Sequence, residues 1–327
     1  MFEGSLFTFY KDPYCKIPVF LMGGGSLRAQ RCVLWIGGQS ESFLCFNYFP
    51  RLAEMLSGDW AFAQVELPSS RVGFGAQDHV HDAEDVDELL SILVKDYDMR
   101  EITLFATSTG VQVVFELLAN GRHTAFVTRA ILHGVVCDPA SPLFTPEGVA
   151  ARAEFVAELV AAGRQEDSRA LVDHYDIPVT PARLAGGGFP TLQEAVWSPC
   201  MRGEVDTLQQ SIGRVRVPML IMLAHHAQYK PTPEEVDKVV RLVREYAGCT
   251  HVTVSYFKDT CDERRRVLKA AEQEHVDAIL HFLAEEDDRR AKQEKEEQWR
   301  AVEEEKKRKS ILQANAFAKN LARNSTA

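Results

Sequence analysis

Residues 102–119 read ITLFATSTGVQVVFELLA. Ile102 to Ala106 is a short apolar run of strand type, and Gly110 to Ala119 carries its apolar side chains on a helical repeat. Thr107-Ser108-Thr109 lies between them. A chain that leaves a strand and enters a helix within three residues turns sharply, so the residues two before and two after the central serine must be small. Ala106 and Gly110 meet that requirement. In this strand–turn–helix context the serine hydroxyl projects above a sheet edge, an arrangement known as a nucleophile elbow. The backbone N–H of Thr109, at the positive end of the following helix, is then placed to stabilise an oxyanion.

Working outward, the chain alternates strand and helix. Gly4 to Tyr10 and Pro18 to Met22 read as a β-hairpin, and Gly23-Gly24-Gly25-Ser26 breaks the pattern after it. Arg31 to Ile36 is a strand ending in Gly37-Gly38-Gln39, and Asn47 is a candidate cap for a helix through Leu56. Ala61 to Leu67 is a strand, and Asp82 to Asp96 a helix with Val86, Leu89, Leu90, Leu93 and Val94 on one face. Val127 to Cys137 is a further strand. Continuous apolar strands alternating with helices imply a doubly wound, mostly parallel sheet covered on both faces. The loop Gly37-Gly38-Gln39 follows the strand expected to supply a second oxyanion donor, and the N–H of Gln39 is the natural candidate.

The alternation lapses between about residues 139 and 213. This stretch holds a helical run, Pro146 to Ala162, and a glycine loop, Ala185-Gly186-Gly187-Gly188, but no convincing strand. It resumes with Pro218 to Leu223, the amphipathic helix Pro233 to Tyr246, the strand Val252 to Phe257 and the helix Asp262 to Leu283. Ligands of open α/β sheets bind at the carboxyl edge, so the excursion reads as a helical cap over that edge, with Phe144, Phe189 and Trp197 as candidate lining. The resulting divisions are 1–138 and 217–283 for the two parts of the core, 139–216 for the cap, and 284–327 for a charged helical tail. In the tail, Glu286–Arg290, Glu296–Arg300, Glu303–Lys307 and Glu304–Arg308 place acid before base at i,i+4, the favourable order for a solvated helix.

Composition bounds the partners. The 327 residues are 46% hydrophobic and 26% charged, enough apolar material for a substantial core, and the net charge is −10 with no basic stripe, which argues against nucleic acid. Seven cysteines, an odd number with no C-x-x-C pair, read as reduced thiols. The N-terminus lacks the charged and apolar regions of a signal peptide and no run reaches membrane-spanning length, so a cytoplasmic protein is expected.

GGQSESFLCFNYFPRLAEML (residues 37–56), VELPSSRVGFGAQDHVHDAEDVDELL (residues 65–90) and LFATSTGVQ (residues 104–112) together carry a family resemblance. They resemble successive blocks of one α/β-hydrolase subfamily that includes fungal siderophore (fusarinine) esterases. The matching residues include Ser69, Ser70, Gly73, Phe74, Gly75, Asp82, Asp85, Ser108, Thr109, Gly110 and Gln112. The opening MFEGSLF also fits. The resemblance spans residues 1 to about 140, is faint in the cap, and returns for the last two strands. It implies an α/β-hydrolase fold and a Ser-His-Asp esterase acting on ester or amide bonds without metal or organic cofactor.

The chain departs from that pattern at the other two catalytic positions. The acid normally lies in a G-x-x-D-x-x-V-P stretch after the cap. Here the segment is Ala224-His225-His226-Ala227-Gln228-Tyr229-Lys230-Pro231, which aligns Ala227 with the acid. The base normally follows the last strand, yet Phe257 to Glu263 holds no histidine. Substitutes are His226 or His225 as base and Asp138 as acid. His133 reads as a satisfied core histidine, His275 and His281 as flanking residues of the last helix, and His79 and His81 as solvent-facing. Cys261 is a poor base for a serine. Two main functions therefore stand: a serine hydrolase using Ser108 on a small ester or amide, or a catalytically degenerate relative that binds a small ligand or a partner. A third possibility is a protein partner docked on the C-terminal helix.

Overall fold

The alternating runs pair into one eight-stranded sheet. The computed structural model describes the chain apart from residues 1–2, 11–15, 23–28, 39–40, 57, 59, 71–77, 141–144, 165–171, 175–176, 180, 182–190, 226–228, 259–266, 268 and 325–327. The strands are β1 (Gly4–Tyr10), β2 (Lys16–Met22), β3 (Arg31–Ile36), β4 (Trp60–Val65), β5 (Glu101–Thr107) and β6 (Val127–Val136), then, after the excursion, β9 (Met219–His225) and β10 (Val252–Phe257). Their order is β1-β2-β4-β3-β5-β6-β9-β10. β1–β2 and β2–β4 are antiparallel, and every other pair is parallel. The chain moves outward from β3 to β4, then back across β3 to β5. The order thus reverses at the carboxyl ends of β3 and β5, where open α/β sheets place their ligands.

The helices are α1 (Phe49–Met55), α2 (His79–Lys95), α3 (Gly110–Asn120), α4 (Pro146–Ala161), α5 (Ser198–Arg202), α6 (Val205–Gln210), α7 (Pro233–Tyr246) and α8 (Glu272–Asn324). Two expectations are corrected. Asn47 does not cap α1: the N-cap residue is Tyr48, with no side-chain cap, and Pro50 sits in the first turn where its missing N–H costs nothing. The excursion does contain strands, a short antiparallel pair β7 (Val172–His174) and β8 (Ile177–Val179). Three-residue strands are too short for a period-2 pattern to be read from sequence. The start of α2 is set by Asp78, which accepts hydrogen bonds from the N–H groups of Val80 and His81. α7 begins with a full capping box between Thr232 and Glu235.

The chain divides into two compact units, Met1–Leu280 and His281–Ala327. The second is a helix of solvated charge, with Glu296–Arg300 paired as the spacing predicts, and Glu305–Lys309 and Glu286–Arg289 paired as well. Among the described residues, no helix is long and apolar enough to cross a membrane.

Residues that pair in register share a face. Trp35, Phe105 and Ile131 therefore stand on one side of the sheet, as do Thr107 and His133. α1 covers this side: Phe49 meets Trp35, Phe62 and Phe105 edge-on, with ring centroids 5.1, 5.1 and 6.1 Å apart. Beside them His133 and His275 lie fully inside, 3% and 0% exposed, with rings 5.3 Å apart at right angles. His275 is stacked on Phe257 and packs near Tyr48, so it belongs to the core and not to a helix flank. His275 Nδ1 bonds the Ala271 carbonyl, while the Nε2 atoms of both histidines are buried without a partner, so His133 is not the satisfied core residue that its place in a strand suggests.

Burial, and then the neighbouring His275, hold His133 far down, to about 3. Burial lowers His275 as well. A histidine that binds its proton less readily when folded stabilises the fold above its unfolded value, and that stability is lost as pH falls through 6.5 toward 3. Each such group costs about 1.4 kcal/mol per pH unit over that window. Urea unfolding at pH 6.5 and at pH 5 should show His133→Gln losing roughly 2 kcal/mol less than the wild type between them; equal losses would mean that His133 titrates normally.

Candidate active site

The strand end, the turn and the helix at residues 102–119 form as their sequence implies. Ser108 sits between β5 and α3 with φ +50°, a left-handed backbone that non-glycine residues adopt at a cost of about 1–2 kcal/mol. Its N–H donates to the His133 carbonyl at 3.1 Å, so the neighbouring strand holds the strained residue in place. Its carbonyl begins the next helix by accepting from Val111 N–H at 3.2 Å. Ala106 is fully buried beneath the turn. Gly110 has no room for a side chain: a Cβ there would lie 2.4 Å from the Ile36 carbonyl oxygen and 2.8 Å from that of Gly37. The small residues around the serine are thus demanded by the β3 strand end pressing on the turn.

The β3 loop reaches the serine. A Cβ on Gly38 would fall 2.6 Å from Ser108 Cβ, 3.0 Å from Ser108 Oγ and 3.0 Å from the Thr109 nitrogen. The backbone of this loop and the Thr109 N–H therefore flank the serine on the same side, as an oxyanion hole requires. Gln39, expected as the second donor, lies outside the described residues. The peptide before it is held from three directions. The Gly38 N–H donates to Glu41 Oε2 at 2.6 Å, and the Gly38 carbonyl accepts from Glu41 N–H at 3.2 Å and from Ser70 Oγ at 3.1 Å. Thr107 Oγ1 also donates to Glu41 Oε2, and Trp35 Nε1 donates to Thr107 Oγ1 at 3.2 Å. A buried chain of donors thus runs from the core to one carboxylate oxygen. Burial raises the Glu41 carboxyl above its ordinary range, and the bonds from Thr107 and Gly38 hold it back only in part.

These groups share a cavity of about 80 Å³ lined by Glu41, Phe46, Thr107, Ser108, His133, Gly134, Val135, Cys137, Thr191 and Gln193. Thr191 and Gln193 come from the excursion. Gln193 is 1% exposed, and its amide pairs with the Cys137 backbone as a strand would. Cys137 N–H donates to Gln193 Oε1 at 2.7 Å, and Gln193 Nε2 donates to the Cys137 carbonyl at 3.1 Å. Gln193 also opens a π-helical turn, Gln193–Trp197, a local distortion often found at functional sites. Trp197, a candidate cap-lining residue, is fully buried against Tyr229 and Tyr256, outside the lining of this cavity; Phe144 and Phe189 lie outside the described residues.

The remaining candidates are dispersed. His225 ends β9, buried, with Nδ1 on the Tyr229 carbonyl at 2.6 Å, and it does not line the Ser108 cavity. Asp138 is exposed in the turn after β6, where its carboxylate accepts from Ala140 N–H at 2.8 Å. His226, Ala227 and Cys261 lie outside the described residues. The Ser108 hydroxyl makes no hydrogen bond to a described histidine. Among the lining residues that sequence did not single out, Glu41 and Gln193 carry buried hydrogen bonds. For Glu41 the available signal was an acid three residues beyond Gly38, in a loop that has to fold back on the elbow. Among the described residues no group of three or more His, Cys, Asp or Glu side chains could hold a metal ion.

Comparison with known proteins places this geometry in context. A solved structure described as an "Alpha/Beta hydrolase fold protein of unknown function" is 66% identical, covers 88% of this chain and 98% of its own, and superimposes with a TM-score of 0.81. The siderophore hydrolase EstB from Aspergillus fumigatus is 15% identical, covering 87% of this chain and 97% of its own with a TM-score of 0.58. A thermostable carboxyl esterase from Bacillus coagulans is 14% identical, covering 87% and 99% with a TM-score of 0.54. At these lower identities the likeness is one of fold. No curated protein matches the chain. The model of the family described as "Protein of unknown function (DUF1749)" matches residues 5–310, so the chain belongs to that family, and its fold is that of the α/β-hydrolases.

Proposed function

We propose that this protein is a serine hydrolase of esterase type, in which Ser108 attacks the carbonyl of a small ester or amide. The observation that carries this reading is the strained Ser108 backbone at φ +50°, held against the Gly38 loop and the Thr109 N–H. Strain of this kind persists only where the surroundings impose it, and it clusters at sites that use it. In the proposed reaction the serine oxygen adds to the carbonyl, and the developing oxyanion is met by the Thr109 N–H and by the β3 loop, with Gln39 as the donor there. The esterases that share the fold support the reaction class, and siderophore chemistry is carried only by that analogy. The cavity of about 80 Å³ suits the reacting group alone, so the rest of a substrate would extend toward the excursion, past Thr191 and Gln193.

The second reading is a degenerate hydrolase that binds without turnover. It is favoured by one observation, the lack of a described imidazole bonded to Ser108. Removing triad members typically costs about 10⁴ to 10⁶ in kcat, so a serine with no proton acceptor would be a very poor catalyst.

A fluorophosphonate probe separates the two. The folded wild type should label and Ser108→Ala should not; an unlabelled wild type beside a reactive control hydrolase would sink the serine hydrolase reading in favour of binding. Gly38→Ala should cut the labelling rate by at least about tenfold, because its Cβ would collide with the Ser108 side chain 2.6 Å away. Labelling at the wild-type rate would show that the β3 loop does not bear on the serine.

A further inference from the structure

Resting on the reading of Ser108 as nucleophile, we infer that Glu41 is the proton acceptor of this site, a carboxylate base standing where the fold ordinarily uses an imidazole. Two of its features are those of a base and not of a simple brace. Its Oε2 is tied down by the Gly38 N–H at 2.6 Å and by the Thr107 hydroxyl, which fixes the carboxylate plane. Its Oε1 makes no hydrogen bond among the described residues, and Glu41 lines the same cavity as Ser108. The Ser108 hydroxyl is equally without a described partner. A carboxylate with one oxygen anchored and the other unbonded, in the same cavity as an unbonded hydroxyl, is the pairing that proton transfer needs, since geometry is the first requirement and basicity the second. Burial raises the Glu41 carboxyl above its ordinary range, which improves it as a base. The described alternative in the cavity, His133, is held down to about 3 by burial, so it is a weak acceptor.

The proton bookkeeping closes on Glu41 alone. As Ser108 Oγ bonds to the ester carbonyl carbon, its O–H bond breaks and the proton passes to Glu41 Oε1. The tetrahedral intermediate expels the alkoxide, which takes that proton and leaves as the alcohol. A water then attacks the acyl-serine carbon and gives a proton to Glu41. The Oγ–acyl bond breaks, the same proton returns to Ser108, and the carboxylic acid departs. No metal or redox partner enters any step.

Among the described residues, the titratable groups that face Glu41 are Cys45 on its own loop and His133 and Cys137 from β6 and the residue after it. Desolvation, and then the Glu41 charge, raise the Cys45 thiol, although the residue is exposed at the surface. The test is the second-order rate of fluorophosphonate labelling between pH 4 and 9, on full-length protein. Glu41→Gln keeps an oxygen that accepts from Gly38 and Thr107 but cannot take a proton. It should label about 10² to 10⁴ times more slowly, with the wild-type rise in rate above the ordinary carboxylate range abolished. Glu41→Asp retains a base, so it should label slowly but keep the rise; it also covers the case in which the glutamine variant melts early. A merely structural Glu41 would leave the pH profile of Glu41→Gln unchanged, and that result overturns the inference. So does a rise that survives in Glu41→Gln and vanishes in His133→Gln, which would make the imidazole the base. In both cases a wild type that labels and a Ser108→Ala variant that does not would leave the serine hydrolase reading standing, whereas an unlabelled wild type would remove both.

Discussion

The contact on which the rest depends is the close approach of two strand ends, β3 and β5. The β3 end leaves no space for a Cβ at Gly110, and Gly38 reaches within van der Waals range of Ser108. With its neighbours this tight, the chain after β5 turns at once and Ser108 takes a positive φ. The cost is met by backbone hydrogen bonds, Ser108 N–H to the His133 carbonyl behind it and Val111 N–H to the Ser108 carbonyl ahead. The strained conformation is therefore a property of three elements at once, β3, β5 and β6, and loosening any of them frees the serine to relax.

A polar path penetrates the core from this point. Trp35 donates to Thr107, Thr107 donates to Glu41, and Gly38 donates to the same carboxylate oxygen. Bonds of this kind are stronger in a low-dielectric interior than at the surface, and an unpaired member is correspondingly costly. They couple the hydrophobic face under α1 to the loop beside the serine. On the same face, His133 and His275 leave two buried nitrogens unpaired, a cost that a purely structural core would have little reason to retain.

Gln193 ties the excursion between β6 and β9 to the site. Gln193 mimics a neighbouring strand by bonding both backbone groups of Cys137. The π-helical turn that starts there sets Thr191 and Gln193 on the cavity wall. Part of the pocket wall above Ser108 is thus set by a stretch of the chain with few regular features.

Much of the architecture is legible in local pattern. The apolar runs at residues 31–36 and 252–257 become β3 and β10 with unchanged ends, and Pro233–Tyr246 becomes α7, because each carries a single period and clear terminal signals. The elbow is legible for a stricter reason: a turn so tight admits only small residues at Ala106 and Gly110, so the chemistry of the turn is written in residue size. What sequence could not reach are relations across distance. An acid in a polar loop, Glu41, carries no periodic mark of its place until the loop folds back and the Gly38 N–H closes on it. A histidine in a strand, His133, reads as satisfied until it packs against His275 with the Nε2 atom of each ring unpaired. A histidine at a strand end, His225, reads as a candidate base until the fold leaves it outside the lining of the Ser108 cavity. By itself the sequence determined the order of strands and helices and the position of the serine, since these follow from local size and periodicity. Only the tertiary structure decided which charged and polar groups keep that serine company, because burial and hydrogen bonding depend on neighbours tens of residues away.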